Sequence, residues 1–525
     1  MNISGVLIIG IKYTVRWLMV QFILIMLPFG LLQAGESQDG PMNPVLQAAS
    51  RLQQLEARFP QQKLFLQFDK QEYLAGEKIW FKAYMLNATT HQPDARMHTA
   101  HADLYNAFGQ PVATTMLRLE NGFAHGSISL PDSLSEGNYR IIAHGPAMHN
   151  YDSIFFFTHD FYVHNPHEER FISRAAVRTN QRFNRDLEKL SNQRHMAFFP
   201  EGGELVAGVE NRVAFKLTDG RGKGVPASGR ILDQQGQELS RLEVFHDGMG
   251  MFGISPLAVS RYTAELIFSD GSIQRFALPE PVEQGFAMQV NRRGEQLEVV
   301  LQANFNPVTA GMPADMYMLV HTRGRAVYTA HEVLQQGRFS HRLPLENLPS
   351  GIAHITIFDN RGIPLAERLY FVDHNDWRAV AVYSERKQTE SGLDYYEINL
   401  DFQFENPDQN WGHYGLSLTG SSQPFDAPQT HLGAWMMLES DLGSRIHNAA
   451  RYFATENARR AQELDLLMMT HGWRRFDWRA LMAEQWPEIS HKDSEGFSLR
   501  GKVEAFASGH ITGHVDVELS IRQDA

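Results

Sequence analysis

The sequence predicts a mainly β protein built from tandem β-sandwich domains, with a small two-helix element near the C-terminus. Three observations lead there. Apolar and polar residues alternate with a period of two over short runs; Gly, Asn and Pro punctuate those runs; and a strong helical stripe is missing until about residue 457. The chain has 525 residues, too many for one hydrophobic core, so several domains are expected.

Residues 1–34 read as a signal peptide. Lys12 and Arg16 precede the apolar run Leu18 to Leu32, and Ala34 stands at the cleavage position. An uncleaved membrane anchor is the alternative, because Ile3 to Ile11 is apolar as well. Residues 35–62 form a lead-in linker with one weak amphipathic stretch, Val45 to Phe59. From Lys63 the period becomes two. Leu64, Leu66 and Phe68 alternate with Lys63, Phe65 and Gln67. After a turn-like segment, Ile79, Phe81, Ala83 and Met85 alternate with Trp80, Lys82 and Tyr84. This first sandwich covers 63–165. A polar linker, 166–195, separates it from a second sandwich at 196–282, a third at 283–375 and a fourth at 376–490.

An internal repeat supports the division. Gly122-Phe123, Gly250-Met251-Phe252 and Gly337-Arg338-Phe339 each open a strand, which leads through a proline-bounded turn into another strand. Asn106-x-x-Gly109, Asp219-x-x-Gly222 and Asp359-x-x-Gly362 form a second echo, read as turns in which Asx caps the chain. Such blocks of about 100 residues suit immunoglobulin/fibronectin-like sandwiches.

A helical element is expected at 452–486. Ala458, Ala461, Leu464, Leu467 and Met468 share one helical face, with Glu456, Arg459, Arg460 and Glu463 opposite. Gly472 can stop that helix, and Asp477 can cap a second, ended by Pro487. Residues 495–525 then read as two strands, the incomplete start of another β domain.

Composition narrows the function. The net charge is −12, which argues against nucleic acid as a partner. The chain has no cysteine, so disulfides, thiolate metal sites and cysteine nucleophiles are excluded. Export without disulfides suits a bacterial envelope.

Chemistry-bearing motifs are scarce. His91, His98 and His101 cluster, as do His159, His164 and His167, but neither group has the His-x-x-x-His spacing that sets two imidazoles on one helix face. Gly415-Leu-Ser417-Leu-Thr419 lacks the second glycine of a nucleophile elbow. No phosphate loop or dinucleotide fingerprint occurs. The sequence therefore predicts no catalytic residue, no cofactor and no metal. One surface candidate remains, Trp473, Arg474 and Arg475, since Trp and Arg dominate binding hot spots.

The segment Lys63-Leu-Phe-Leu-Gln-Phe-Asp-Lys70, followed by Tyr73-Leu-Ala-Gly-Glu-Lys-Ile-Trp-Phe-Lys82, resembles the opening of a macroglobulin-like domain, the fibronectin-type sandwich of alpha-macroglobulins. Gln71 and Ala75 stand where that family has prolines. A longer resemblance rests on Phe199-Pro200-Glu201-Gly202-Gly203, Glu367-Arg368-Leu369, Leu438-Glu439-Ser440-Asp441-Leu442-Gly443 and Thr470-His471-Gly472-Trp473-Arg474-Arg475-Phe476. These look like motifs of large Gram-negative envelope proteins, in which sandwiches precede a carboxypeptidase-regulatory-like domain and a TonB-dependent-receptor plug domain. Leu499-Arg-Gly501-Lys-Val503 resembles the start of the regulatory-like domain. The resemblance implies a non-enzymatic exported scaffold or binding protein of the periplasm or outer membrane. Its partners would be outer-membrane transport components or a protease. It would reach the membrane through those partners or an uncleaved N-terminal segment. The alternative is a macroglobulin-like endopeptidase inhibitor, necessarily without the Cys-Gln thioester.

Overall fold

The computed structural model describes residues 8–11, 43–167, 188–306, 314–374, 381–389, 394–401, 430–443, 446–454, 457–472 and 475–491, with isolated positions between them. Within the expected leader, β1 (Ile8–Ile11) runs parallel to a distant strand, β25 (Asp394–Asp401), pairing Ile9 with Ile398.

Three seven-strand sandwiches follow one plan. In the first, β2 (Gln62–Phe68), β4 (Lys78–Asn87) and β7 (Phe123–Ser129) form one sheet. It faces β6 (Pro111–Arg118), β5 (Thr99–Asn106), β8 (Gly137–His144) and β9 (Phe157–His164), extended by the short parallel strand β3 (Glu72–Leu74). The second stacks β10 (Arg194–Pro200), β11 (Asn211–Asp219) and β14 (Met249–Ile254) on β13 (Glu238–Glu243), β12 (Ser228–Leu232), β15 (Thr263–Ile267) and β16 (Ile273–Ala277). The third stacks β17 (Phe286–Arg293), β18 (Gln296–Ala303) and β21 (Arg338–Pro344) on β20 (Arg325–Val333), β19 (Asp315–Thr322), β22 (Gly351–Asp359) and β23 (Pro364–Val372). Apart from β3, the strand order is the same in all three. The fold is mainly β, in fibronectin-like sandwiches.

The alternation read from the sequence sets the inward faces. Leu64, Leu66, Ile79, Phe81, Ala83 and Met85 are buried in the first core, while Trp80 on the opposite face is 54% exposed. The glycine echo also has a structural counterpart. Asn121-Gly122, Asp247-Gly248 and Gln336-Gly337 each place two consecutive residues at positive φ immediately before the fifth strand of their sandwich. Glu120 pairs with Phe123, His246 with Met249, and Gln335 with Arg338 across these two-residue type I′ turns. In the second sandwich the repeated glycine is thus Gly248, two positions before the one the sequence pattern suggests.

The Asx echo divides differently. Asn106, Asp219 and Asp359 each accept two backbone N–H groups in their turns, at 2.9–3.0 Å. They sit after β5, β11 and β22, which are different places in the common plan. Asp233, whose side chain accepts from Gln235 and Gln237, holds the position that matches Asn106. Shared turn chemistry, not shared ancestry of position, produced that pattern.

The helices bind the sandwiches together. α1 (Pro44–Arg58) starts at Asn43, whose side chain accepts from the N–H of Val45 at 3.0 Å, with proline in the first turn. Its buried Val45, Ala48 and Leu52 pack against Leu319 and Phe358 of the third sandwich, together with Trp478 and Leu481. The lead-in thus docks on the sandwich farthest from it in sequence. α2 (Leu432–Met437) inserts Trp435 and Met436 into the first core, with Trp435 edge-on to Phe157 at 5.2 Å. α3 (Arg460–Thr470) fills the space between β11, β14 and β23. α4 (Trp478–Met482) is capped by Asp477, as the sequence suggests.

α3 departs from its expected amphipathic face. Glu463, Leu466 and Met469 are buried along with Leu464, Leu467 and Met468, whereas Ala461 is exposed. Flanked by two sandwiches, the helix needs apolar residues nearly all round. For the same reason β22 is buried at all nine positions: one face lines the third core and the other lies under helices.

Of the segment 376–490, the described residues comprise the hairpin β24 (Ala381–Gln388)–β25 and these helices. Residues 495–525 lie outside the described residues. Among those described, no helix is long and apolar enough to cross a membrane.

Candidate functional site

The motif residues converge on contacts between sandwiches and helices. Lys63, placed on an outward strand position by its sequence pattern, is only 2% exposed because the segment 436–441 covers it. Its ammonium donates to Asp441 Oδ2 and to the Met436 carbonyl, both at 2.8 Å, and lies 3.5 Å from His91 Nε2. Asp441 also pairs with the Arg475 guanidinium, which reaches Gln61 as well. Nearby, Arg323 donates to the carbonyls of Thr89 and Ser350 at 3.0 and 3.1 Å, tying the first sandwich to the third.

Two cations therefore share one buried carboxylate. Burial drives the Lys63 ammonium down to about 7; Asp441 opposes this, and the Arg475 and Arg323 guanidiniums add to it. Burial alone would raise the Asp441 carboxyl, but Arg475 and Lys63 outweigh it and hold it well below the usual carboxylate range. His91 is pushed down by burial and then by Lys63, so its imidazole is neutral.

A second junction centres on Glu201, whose carboxylate is fully buried. It accepts from Arg212, from Arg368 Nε at 3.0 Å and from the Val290 N–H at 2.9 Å. Arg368 continues to Asp465 on α3 at 2.6 Å. Two arginines thus balance two carboxylates across the second sandwich, the third and the helix, with the buried carboxylate fully hydrogen-bonded. Gly202, next along, is required by space: at φ +90° its added Cβ would lie 2.5 Å from the Met288 Cβ. Glu367 accepts from Trp478 Nε1 at 2.6 Å and from Thr356 at 2.8 Å, beside a small cavity of about 200 Å³.

His471 closes a third contact. Its Nε2 accepts from Lys216 at 2.7 Å, so its Nδ1 carries the proton and donates to Thr470 Oγ1 at 2.9 Å. Burial and then Lys216 push the imidazole down to about 3, fixing it as neutral. Glu463, expected on a solvent face, is instead buried, paired with Arg451 and bonded to Asn457 at 2.7 Å.

Of the surface candidate, Trp473 and Arg474 lie outside the described residues. Arg475 is committed to Asp441, with its side chain 10% exposed. The expected histidine clusters separate: His91 joins the first junction, His101 lies elsewhere, and His164 pairs with Glu72 at 2.9 Å. Among the described residues no group of three His, Asp or Glu side chains is placed to hold a metal ion. What sequence reasoning missed was the use of Glu201, Arg368, Asp441 and His471. The motifs marked them, but only tertiary structure shows that their charged partners lie 11 to 378 residues away.

No protein-family model matches the chain, and no curated protein matches it. Solved structures resemble it distantly. The native alpha-2-macroglobulin of E. coli is 11% identical over 63% of this chain and 24% of its own, with a TM-score of 0.18. Dimeric latent PorU from Porphyromonas gingivalis is 9% identical over 65% and 34%, with a TM-score of 0.24. The E. coli adhesin FdeC is 13% identical over 59% and 96%, with a TM-score of 0.14. This chain thus spans about a quarter of the length of that alpha-2-macroglobulin.

Proposed function

We propose that this chain is a non-enzymatic, exported scaffold or binding protein of a Gram-negative cell envelope, working beside an outer-membrane TonB-dependent transport system. One observation carries the non-enzymatic reading: the buried charged groups in the motifs are spent on one another. Lys63 and Arg475 share the Asp441 carboxylate in the interior, and Arg212 and Arg368 balance Glu201 and Asp465. A charged group serves catalysis when it faces a cleft. These face neighbouring domains. The leader-like N-terminus and the absence of cysteine support export, and the four motifs support the envelope setting.

In-cell cross-linking of the tagged full chain, with cell fractionation, tests the proposal. Recovery in the envelope fraction, linked to a receptor with a TonB-dependent plug, is the expected result. Retention in the cytoplasm, or turnover of model ester, peptide or glycoside substrates by purified protein, would overturn it. A protease challenge tests inhibition instead: a trap is nicked at one loop and then retains the protease.

A further inference from the structure

Away from those junctions, the first sandwich gathers imidazoles around an open cleft of about 410 Å³. His101 and Asp103 stand on β5, His144 on β8 and His149 in the 3-10 turn Pro146–Asn150. The segment Ile489–His491, which follows α4, supplies Ser490 and His491. Ring centroids are 5.7 Å apart for His101 and His144, 4.4 Å for His144 and His149, and 5.3 Å for His149 and His491. The one carboxylate among them, Asp103, lies 3.5 Å from His144 Nε2.

Asn150 holds the segment in place. Its Oδ1 accepts from the N–H groups of Ser490 and His491 at 2.9 and 2.8 Å, and its Nδ2 donates to the His491 carbonyl at 2.5 Å. The clamp is uncharged, yet it sets His491 against His149.

We propose that this cleft is a pH-sensitive latch, in which neutral imidazoles keep Ile489–His491 docked and their protonation releases it. Four imidazoles cannot all be charged around one carboxylate without mutual repulsion. The groups facing His149 are His491, His101 and Asp103, and those facing His144 are His149, Asp103 and His101. Burial, and then the neighbouring imidazoles, already push His144 and His149 below the ordinary histidine value of 6.5. The sign follows. Docking is fully stable above that value and weakens as pH falls below it, because the released state binds protons more readily.

Hydrogen exchange of the full chain at pH 7.5 and 5.5, corrected for intrinsic exchange rates, reads the latch at the Ser490 and His491 amides. Full tenfold discrimination per unit is reached only well below both values, so protection there should fall severalfold at pH 5.5 while β22 amides hold theirs. Asn150→Ala should lose protection at both pH values. H149Q/H491Q should keep it at both. If that variant fails to dock at pH 7.5, His101→Asn serves instead and should show a smaller pH-dependent drop. Equal protection of the unaltered chain at both pH values, or an undiminished drop in the histidine variants, would overturn the proposal.

Discussion

Replacing Asp441 by asparagine tests whether the first junction holds the molecule together. The change keeps shape and removes one charge. In the native protein that carboxylate, 5% exposed, faces Lys63 at 2.8 Å and the Arg475 guanidinium. At that separation the attraction to Lys63 alone is about 6 kcal/mol for an effective dielectric near 20, before desolvation is subtracted. Deleting one partner of a buried pair costs about 3–5 kcal/mol, because the remaining charge stays buried and uncompensated. D441N leaves the Arg475 guanidinium uncompensated, while Lys63, already held down to about 7 and now without the carboxylate that raised it, sheds its proton, so the lower half of that range is expected. Equilibrium urea unfolding followed by fluorescence and far-UV circular dichroism measures it, with coincidence of the probes checked for a multidomain chain. Lys63→Met should partly rescue D441N, since it removes a buried amine left without its carboxylate partner. A D441N midpoint shift worth under about 1 kcal/mol, or no coupling between the two substitutions, would show that water or a backbone shift relieves the charge.

Other outcomes follow from the same contacts. Lys63 is depressed to about 7 in the folded state from the ordinary lysine value of 10.5, so the unfolded chain binds more protons between those values. Stability should therefore rise with pH from 7 towards 10, and the rise should vanish in Lys63→Met; urea midpoints across that range decide it. Gly202→Ala forces a Cβ against Met288 at positive φ and should cost about 1–3 kcal/mol, read as faster hydrogen exchange where the second and third sandwiches meet. Trp478→Ala removes a side chain only 1% exposed and should cost about 3–5 kcal/mol, with α1 becoming sensitive to limited proteolysis while the first sandwich stays resistant.

The strands were legible because their signal is local. A half-buried strand must alternate, as Ile79, Phe81, Ala83 and Met85 do, and the turns announce themselves through Asn106 or Gly122. What the sequence hid depends on partners distant along the chain. Lys63 looks like an outward residue until the segment around Asp441 covers it. Glu463 looks like a solvent residue until Arg451 and Asn457 surround it. β22 carries no alternation because helices from both ends of the chain cover its outer face. The histidine cleft was hidden for the same reason: His101, His144 and His491 are spread over 391 positions of sequence.

These buried charges bear on what the molecule is for. Three sandwiches share one strand order, apart from β3, and each is built around a core of its own, which in the first also takes in Trp435 and Met436. Joined by hydrophobic contacts alone, they could rest against one another in several orientations, because burial of apolar area has no direction. Glu201 with Arg212 and Arg368 ties the second sandwich to the third, and Lys63 with Asp441 and Arg475 ties the first to the helical segments, so a different arrangement strands buried charge. That function of the motifs requires no substrate. It fits the proposed scaffold, with surfaces held at fixed separations and the segment Ile489–His491, docked through Asn150, as the element that responds to pH.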